Sequence, residues 1–221
     1  VLSSTVALAQ GTAKPKTAPA ADAKAASARV IAVLQKNTTI RSYGWTESMV
    51  VSVDGKEKNK ILNACSYNEN NRVARTPMNA KAAEKVAGGA PGTSNEIDSY
   101  VTEAVAAMRE YVRPDPAKLQ ACEDAGRVTL TPGEENRAKL DYSDYMKKGD
   151  HLVLEIDRSL NQILTSSAST YVTNPNDRAV IRTEMSQLPD GSSYPSKITF
   201  NTPGRLMSAV VTNSDFKKKT S

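Results

Sequence analysis

A single histidine, two cysteines and one tryptophan among 221 residues remove several chemistries at the outset. Nucleophilic catalysis by serine or cysteine usually needs a histidine base, and His151 follows Gly149-Asp150, a turn where solvent exposure is the default. His151 is therefore read as a solvated turn residue. Two distant cysteines and one histidine do not make a zinc set, so no metal is expected. No Walker loop is present, because Gly88-Gly89-Ala90-Pro91-Gly92 lacks both the closing Lys-Ser/Thr pair and a strand leading into it. Asp141, Asp144, Glu155 and Asp157 stand on strand edges among lysines and arginines, and read as surface charge rather than paired glycosidase carboxylates. No enzyme and no cofactor is expected.

Apolar content is also low. Leu, Ile, Val and Phe make up about 19% of the chain, a level that signals disorder only when net charge is high. Here 29 basic residues against 24 acidic ones leave +5, so the reading is a folded domain diluted by polar segments. No apolar run approaches the roughly 18 residues of a membrane span, and a mature protein in solution is expected. The basic residues are interleaved with acids, without a stripe joined to aromatic platforms or a reading helix, so nucleic acid is not an expected partner.

What is there begins with Ala7-Leu8-Ala9 at the close of a short apolar stretch, the small-x-small pattern after which signal peptidase cuts. Residues 1–9 are read as the remainder of a signal peptide. Residues 10–25, dominated by Ala, Lys, Pro and Thr, are read as a disordered tether with too little apolar surface to offset the entropy of ordering. A single domain over 26–216 and a basic tail over 217–221 follow. Export, to the periplasm or beyond, would place Cys65 and Cys122 in an oxidising space where pairing is common. A Cys65–Cys122 bridge and two separate buried thiols stand as equal alternatives.

Within the domain, Ala26, Val30, Ile31 and Leu34 recur at helical spacing. Residues 40–53 then alternate, with Tyr43, Trp45, Met49, Val51 and Val53 on one side, and Asp54-Gly55 supplies a two-residue hairpin turn into a second strand, 56–67. A third follows at 72–76. Residues 78–94, rich in glycine, read as a mobile loop. Ile97, Tyr100, Val101, Ala104, Val105, Met108, Tyr111 and Val112 form the stripe of an amphipathic helix. Asp115-Pro116 caps and opens a second helix, which Gly126 closes in the left-handed conformation. Seven strands are then expected, at 127–131, 138–145, 151–157, 162–172, 179–188, 196–201 and 206–213. Their connections are too short for parallel crossovers. The class is α+β: a large antiparallel sheet with helices gathered on one side. Leu206 and Val210 oppose Met207, Ala209 and Val211, while Ile163 and Tyr171 oppose Leu164, Ala168 and Val172, so both faces of these strands are expected to be covered.

The run 140–150 with its following strand, the turn Asp190-Gly191 leading through Tyr194-Pro195 to Ile198 and Phe200, and the opening Tyr43-Gly44-Trp45 strand with its Asp54-Gly55 hairpin resemble the lipoprotein-localisation-factor (LolA/LolB-like) superfamily, in an uncharacterised branch. The resemblance covers about 26–216 and departs from the carriers themselves in lacking their Arg-Pro-Gly element with its basic, aromatic strand. It implies a curved sheet forming an incomplete barrel, helices across the concave face, and an apolar cavity between them that accepts a lipid or lipoprotein acyl chain. It also implies a runner-up, an envelope scaffold or sensor module that binds a protein partner without lipid. The expected cavity residues are Val101, Val105 and Met108 on the helix and Trp45, Met49, Val51, Leu154 and Ile156 on the sheet, with 78–94 as a moving lid. Lys217, Lys218 and Lys219 are candidates for contact with an anionic membrane surface, against a solvated tail.

Overall fold

A computed structural model describes residues 17–78 and 94–219. Ten strands form one sheet: β1 (Tyr43–Val53), β2 (Lys56–Tyr67), β3 (Val73–Pro77), β4 (Val128–Pro132), β5 (Arg137–Ser143), β6 (His151–Asp157), β7 (Gln162–Tyr171), β8 (Arg178–Gln187), β9 (Ser193–Thr202) and β10 (Met207–Lys218). Three helices are described, α1 (Ala20–Lys36), α2 (Ser94–Val112) and α3 (Pro116–Asp124). All neighbouring strands are antiparallel, in the order β3-β2-β1-β10-β9-β8-β7-β6-β5-β4. The sheet is curved and open, with β3 and β4 at its two edges.

That order explains where the helices lie. The chain leaves β3 at one edge and re-enters at β4 on the other, so the connection must traverse nine strand spacings, about 43 Å measured along the sheet. Curling shortens the distance across, and ten twisted strands rarely stay open without curling. α2 and α3 make the crossing over the concave face, burying Ala104, Val105, Met108, Tyr111, Leu119 and Cys122 in the same core as the inward strand residues. Tyr111 anchors α2: its hydroxyl donates to Asp150 Oδ2 at 2.5 Å and lies 2.8 Å from Thr170 Oγ1, all three groups buried.

Local chemistry follows the turn residues. Asp54 and Gly55 have φ of 54° and 70°, as a type I′ hairpin requires. Asp115 caps α3 by accepting from the Ala117 amide, and Gly126 ends it at φ 67°.

Several expectations change. α1 starts at Ala20, inside the segment read as a disordered tether, and Ala23 is buried. Alanine is the best helix former, and its small side chain lets α1 lie close against β4 and α3. The Ala18 amide also donates to the Leu130 carbonyl, tying the approach to α1 onto β4. Ile97, assigned to the apolar stripe of α2, is exposed in its first turn. β10 runs five residues past its expected end, so Lys217 and Lys218 pair with Gly44 and Tyr43 rather than forming a loose tail.

The double-sided apolar reading is also overturned. Val180 (46%) and Val210 (38%) are exposed on the outer face. In β7 the apparent two-sidedness is a bulge: Glu155 faces Thr165 but Ile156 faces Ile163, leaving Leu164 unpaired. One extra residue reverses the alternation, so Ile163 and Ala168 both point into the core.

Candidate ligand cleft

Beneath α2 the concave face is not filled. A cleft of about 760 Å³ lies between it and strands β1, β7, β9 and β10. Its floor is Met49, Ile163, Ile198 and Val211, and its roof is Met108 and Val112 from α2 with Leu34 from α1. A separate cavity of about 30 Å³, room for roughly one water, lies between α1 and the β6–β7 turn.

One end of the cleft is aromatic. Trp45 stacks on Phe216 with ring centres 5.6 Å apart and planes 10° from parallel, Tyr67 lies 5.4 Å from Trp45, and Tyr194 lies 4.3 Å from Phe216. A bulge creates this wall. Gly44 faces Lys217 and Thr46 faces Ser214, so Trp45 alone opposes both Asp215 and Phe216. Asp215 takes a left-handed φ of 55°, and the reversed alternation turns Phe216 inward onto Trp45.

Next to the aromatic wall runs a buried polar row. Asn63, Glu47 and Asn213 are in register across β2, β1 and β10. Glu47 Oε1 accepts from Arg75 Nε at 2.8 Å and from Asn63 Nδ2 at 3.1 Å, and its Oε2 accepts from two Arg75 nitrogens at 3.1 and 3.0 Å. Trp45 Nε1 donates to Asn213 Oδ1 at 3.0 Å, and Asn213 Nδ2 donates to the Pro195 carbonyl at 2.7 Å. Arg109 from α2 and Arg113, just past its end, also line the cleft, with the Arg113 guanidinium 5.5 Å from the centre of the Tyr67 ring.

The expected cavity residues divide. Trp45, Met49 and Met108 line the cleft, and Met49 and Met108 are also buried members of the core. Val51, Val105 and Leu154 are packed into the continuous core, and Val101 rests against it. Ile156 borders the small cavity instead. The expected lid at 78–94 and the signal peptide at 1–9 lie outside the described residues, apart from Met78 and Ser94 at the lid's ends. The polar row was missed. Its one visible signal was an acid, Glu47, in phase with Tyr43, Trp45, Met49 and Val51.

Cys65 and Cys122 are two free, buried thiols, the second of the two alternatives. Their sulfurs lie 4.0 Å from the Asn63 carbonyl and 3.9 Å from the Ser143 carbonyl, respectively. Burial, reinforced by Glu47, pushes the Cys65 thiol up to about 11 against the opposing effect of Arg75 and Arg109. Burial also raises Cys122. Both are held in the unreactive protonated form. His151 is exposed at the start of β6, its Nδ1 3.0 Å from Asp141 Oδ1. Among the described residues no cluster of three or more metal-ligating side chains occurs, and no helix is long and apolar enough to cross a membrane.

A scan of known protein families finds no match, and a search of curated proteins finds none either. Solved structures do match. One is a DUF1329 family protein from Desulfovibrio piger, 12% identical, with a TM-score of 0.48, covering 90% of this chain and 94% of that one. Another is a LolA superfamily protein from Nitrosomonas europaea, 11% identical, with a TM-score of 0.37, covering 86% and 93%.

Proposed function

We propose that this chain is an exported, non-enzymatic binding protein that holds an acyl chain or similar apolar tail in the cleft between its curved sheet and α2. The observation that supports this best is the cleft itself. At about 760 Å³ it falls within the roughly 300–1,000 Å³ usual for small-molecule sites. Its floor and roof are aliphatic and methionine side chains continuous with the core. Methionines at Met49, Met108 and Met185 give it the adaptable surface that suits tails of variable shape. Periplasmic residence belongs to the same reading and rests on the Ala7-Leu8-Ala9 pattern.

Titration with an environment-sensitive fluorescent fatty acid tests the reading. Saturable binding, displaced by unlabelled fatty acid and weakened in Met185→Trp, where the larger side chain occupies the cleft, is the expected result. Absence of saturable binding would leave the scaffold alternative in its place.

A further inference from the structure

The cleft is lined by apolar and polar side chains together, and its lining includes four arginines, Arg72, Arg75, Arg109 and Arg113, against three acids, Glu47, Glu110 and Asp115. Two of those acids are already engaged. Glu47 is gripped by Arg75 and Asn63, and Asp115 caps α3. Among the described residues Arg109 has no ion pair and no hydrogen-bonded carboxylate of its own. Arg109 is exposed to solvent; the surrounding protein, followed by the like charge of Arg75, lowers its proton affinity, and Glu47 partly offsets this. A guanidinium without a carboxylate partner of its own, at the solvent-exposed rim of the cleft, favours an anion there. Arg113, in the bend just past the end of α2, lines the same cleft.

We propose that the occupant of the cleft is an amphiphile whose anionic head, a carboxylate or a phosphate, is held by Arg109 and Arg113 while its tail runs past Trp45, Met49 and Ile198 beneath α2. This rests on the acyl-tail reading and adds the chemistry of the head. The chemistry favours the arrangement: planar guanidinium groups present paired donors to carboxylate and phosphate oxygens, and they share one cleft with aliphatic side chains.

Displacement of a bound fluorescent fatty acid by oleate and by oleyl alcohol, which share a tail and differ in head charge, tests this directly. The wild-type protein should bind oleate about tenfold more tightly than the alcohol, the scale of one charge-assisted hydrogen bond at a partly exposed site. Arg109→Gln should remove most of that preference and leave the affinity for the alcohol unchanged. Arg113→Gln should reduce the preference in the same direction, and carries the comparison if Arg109→Gln does not fold. Equal wild-type affinities for the two ligands, or a preference that survives both substitutions, would overturn the head-group assignment while leaving the acyl-tail reading intact. Failure of both ligands to bind would overturn both. Complete displacement of oleate by millimolar inorganic phosphate would reassign the arginines to a free anion and also overturn the amphiphile.

Discussion

Replacing Arg75 with methionine strips Glu47 of three of its four hydrogen-bond contacts and leaves Asn63 as the one remaining donor. The Glu47 side chain is only 6% exposed and that of Arg75 27%, so water entering from the cleft that both line would replace the lost partner only in part. Breaking a buried pair by removing one member costs about 3–5 kcal/mol. The residual exposure of Arg75 places this case at the lower end, about 3 kcal/mol. For a chain of this length that corresponds to a fall in melting temperature of about 6–12 °C. Removing the carboxylate as well should undo much of the damage, because the penalty comes from the stranded charge. The double variant Arg75→Met/Glu47→Gln should therefore be more stable than Arg75→Met alone by at least about 1.5 kcal/mol. Urea unfolding followed by circular dichroism at pH 7 measures all four species of the cycle. An Arg75→Met protein within about 0.5 kcal/mol of wild type, the range of an ordinary surface substitution, would refute the reasoning, as would a double variant no more stable than the single.

Tyr111→Phe removes the hydroxyl shared by buried Asp150 and Thr170, and should cost about 2 kcal/mol in urea unfolding; an effect near zero would remove the anchor assigned to α2. Ellman titration should find almost no reactive thiol in the native protein at pH 8 and two equivalents in guanidinium without reductant, since Cys65 and Cys122 are buried and unbridged; no thiol in guanidinium would mean that the pair is oxidised. Stability should hold up to about pH 10, the ordinary tyrosine pKa, and fall above it. Burial raises Tyr111 and Tyr145 and pushes Tyr142 up to about 12, so between those values the unfolded chain releases protons that the native one retains. Urea midpoints that stay flat from pH 9 to 11.5 would contradict this.

Much of the fold was legible because its signals are local. The Asp54-Gly55 hairpin, the Asp115 cap and the Gly126 terminator depend on the residues themselves and their immediate neighbours, and each stands where expected. Bulges are another matter. The extra residue at Leu164 and the extra residue opposite Trp45 are defined by how two strands pair, so β7 looked apolar on both faces and the inward turn of Phe216 was hidden. The cleft was half legible for the same reason. Alternation placed Trp45 and Met49 on the inner face, and helical spacing did the same for Met108. Whether an inward residue packs, as Val51 and Leu154 do, or borders space depends on the curvature of the whole sheet. The Glu47–Arg75 pair joins residues 28 apart in the chain, and an arginine on a short edge strand reads from sequence alone as surface charge. Composition misled at the N-terminus, where an alanine-rich segment counted as too polar to order forms the first turns of α1 once β4 and α3 give it a surface to cover.

Trp45 offers the most direct test of the acyl-tail reading, because it is the sole tryptophan and lines the cleft. Its fluorescence reports on that wall alone. Titration with a fatty acid brominated along its tail should quench Trp45 in a saturable manner at about one ligand per chain, while the same acid without bromine should compete and restore emission. Quenching that rises linearly without saturating, or that the unlabelled acid does not reverse, would contradict the presence of an acyl chain in the cleft.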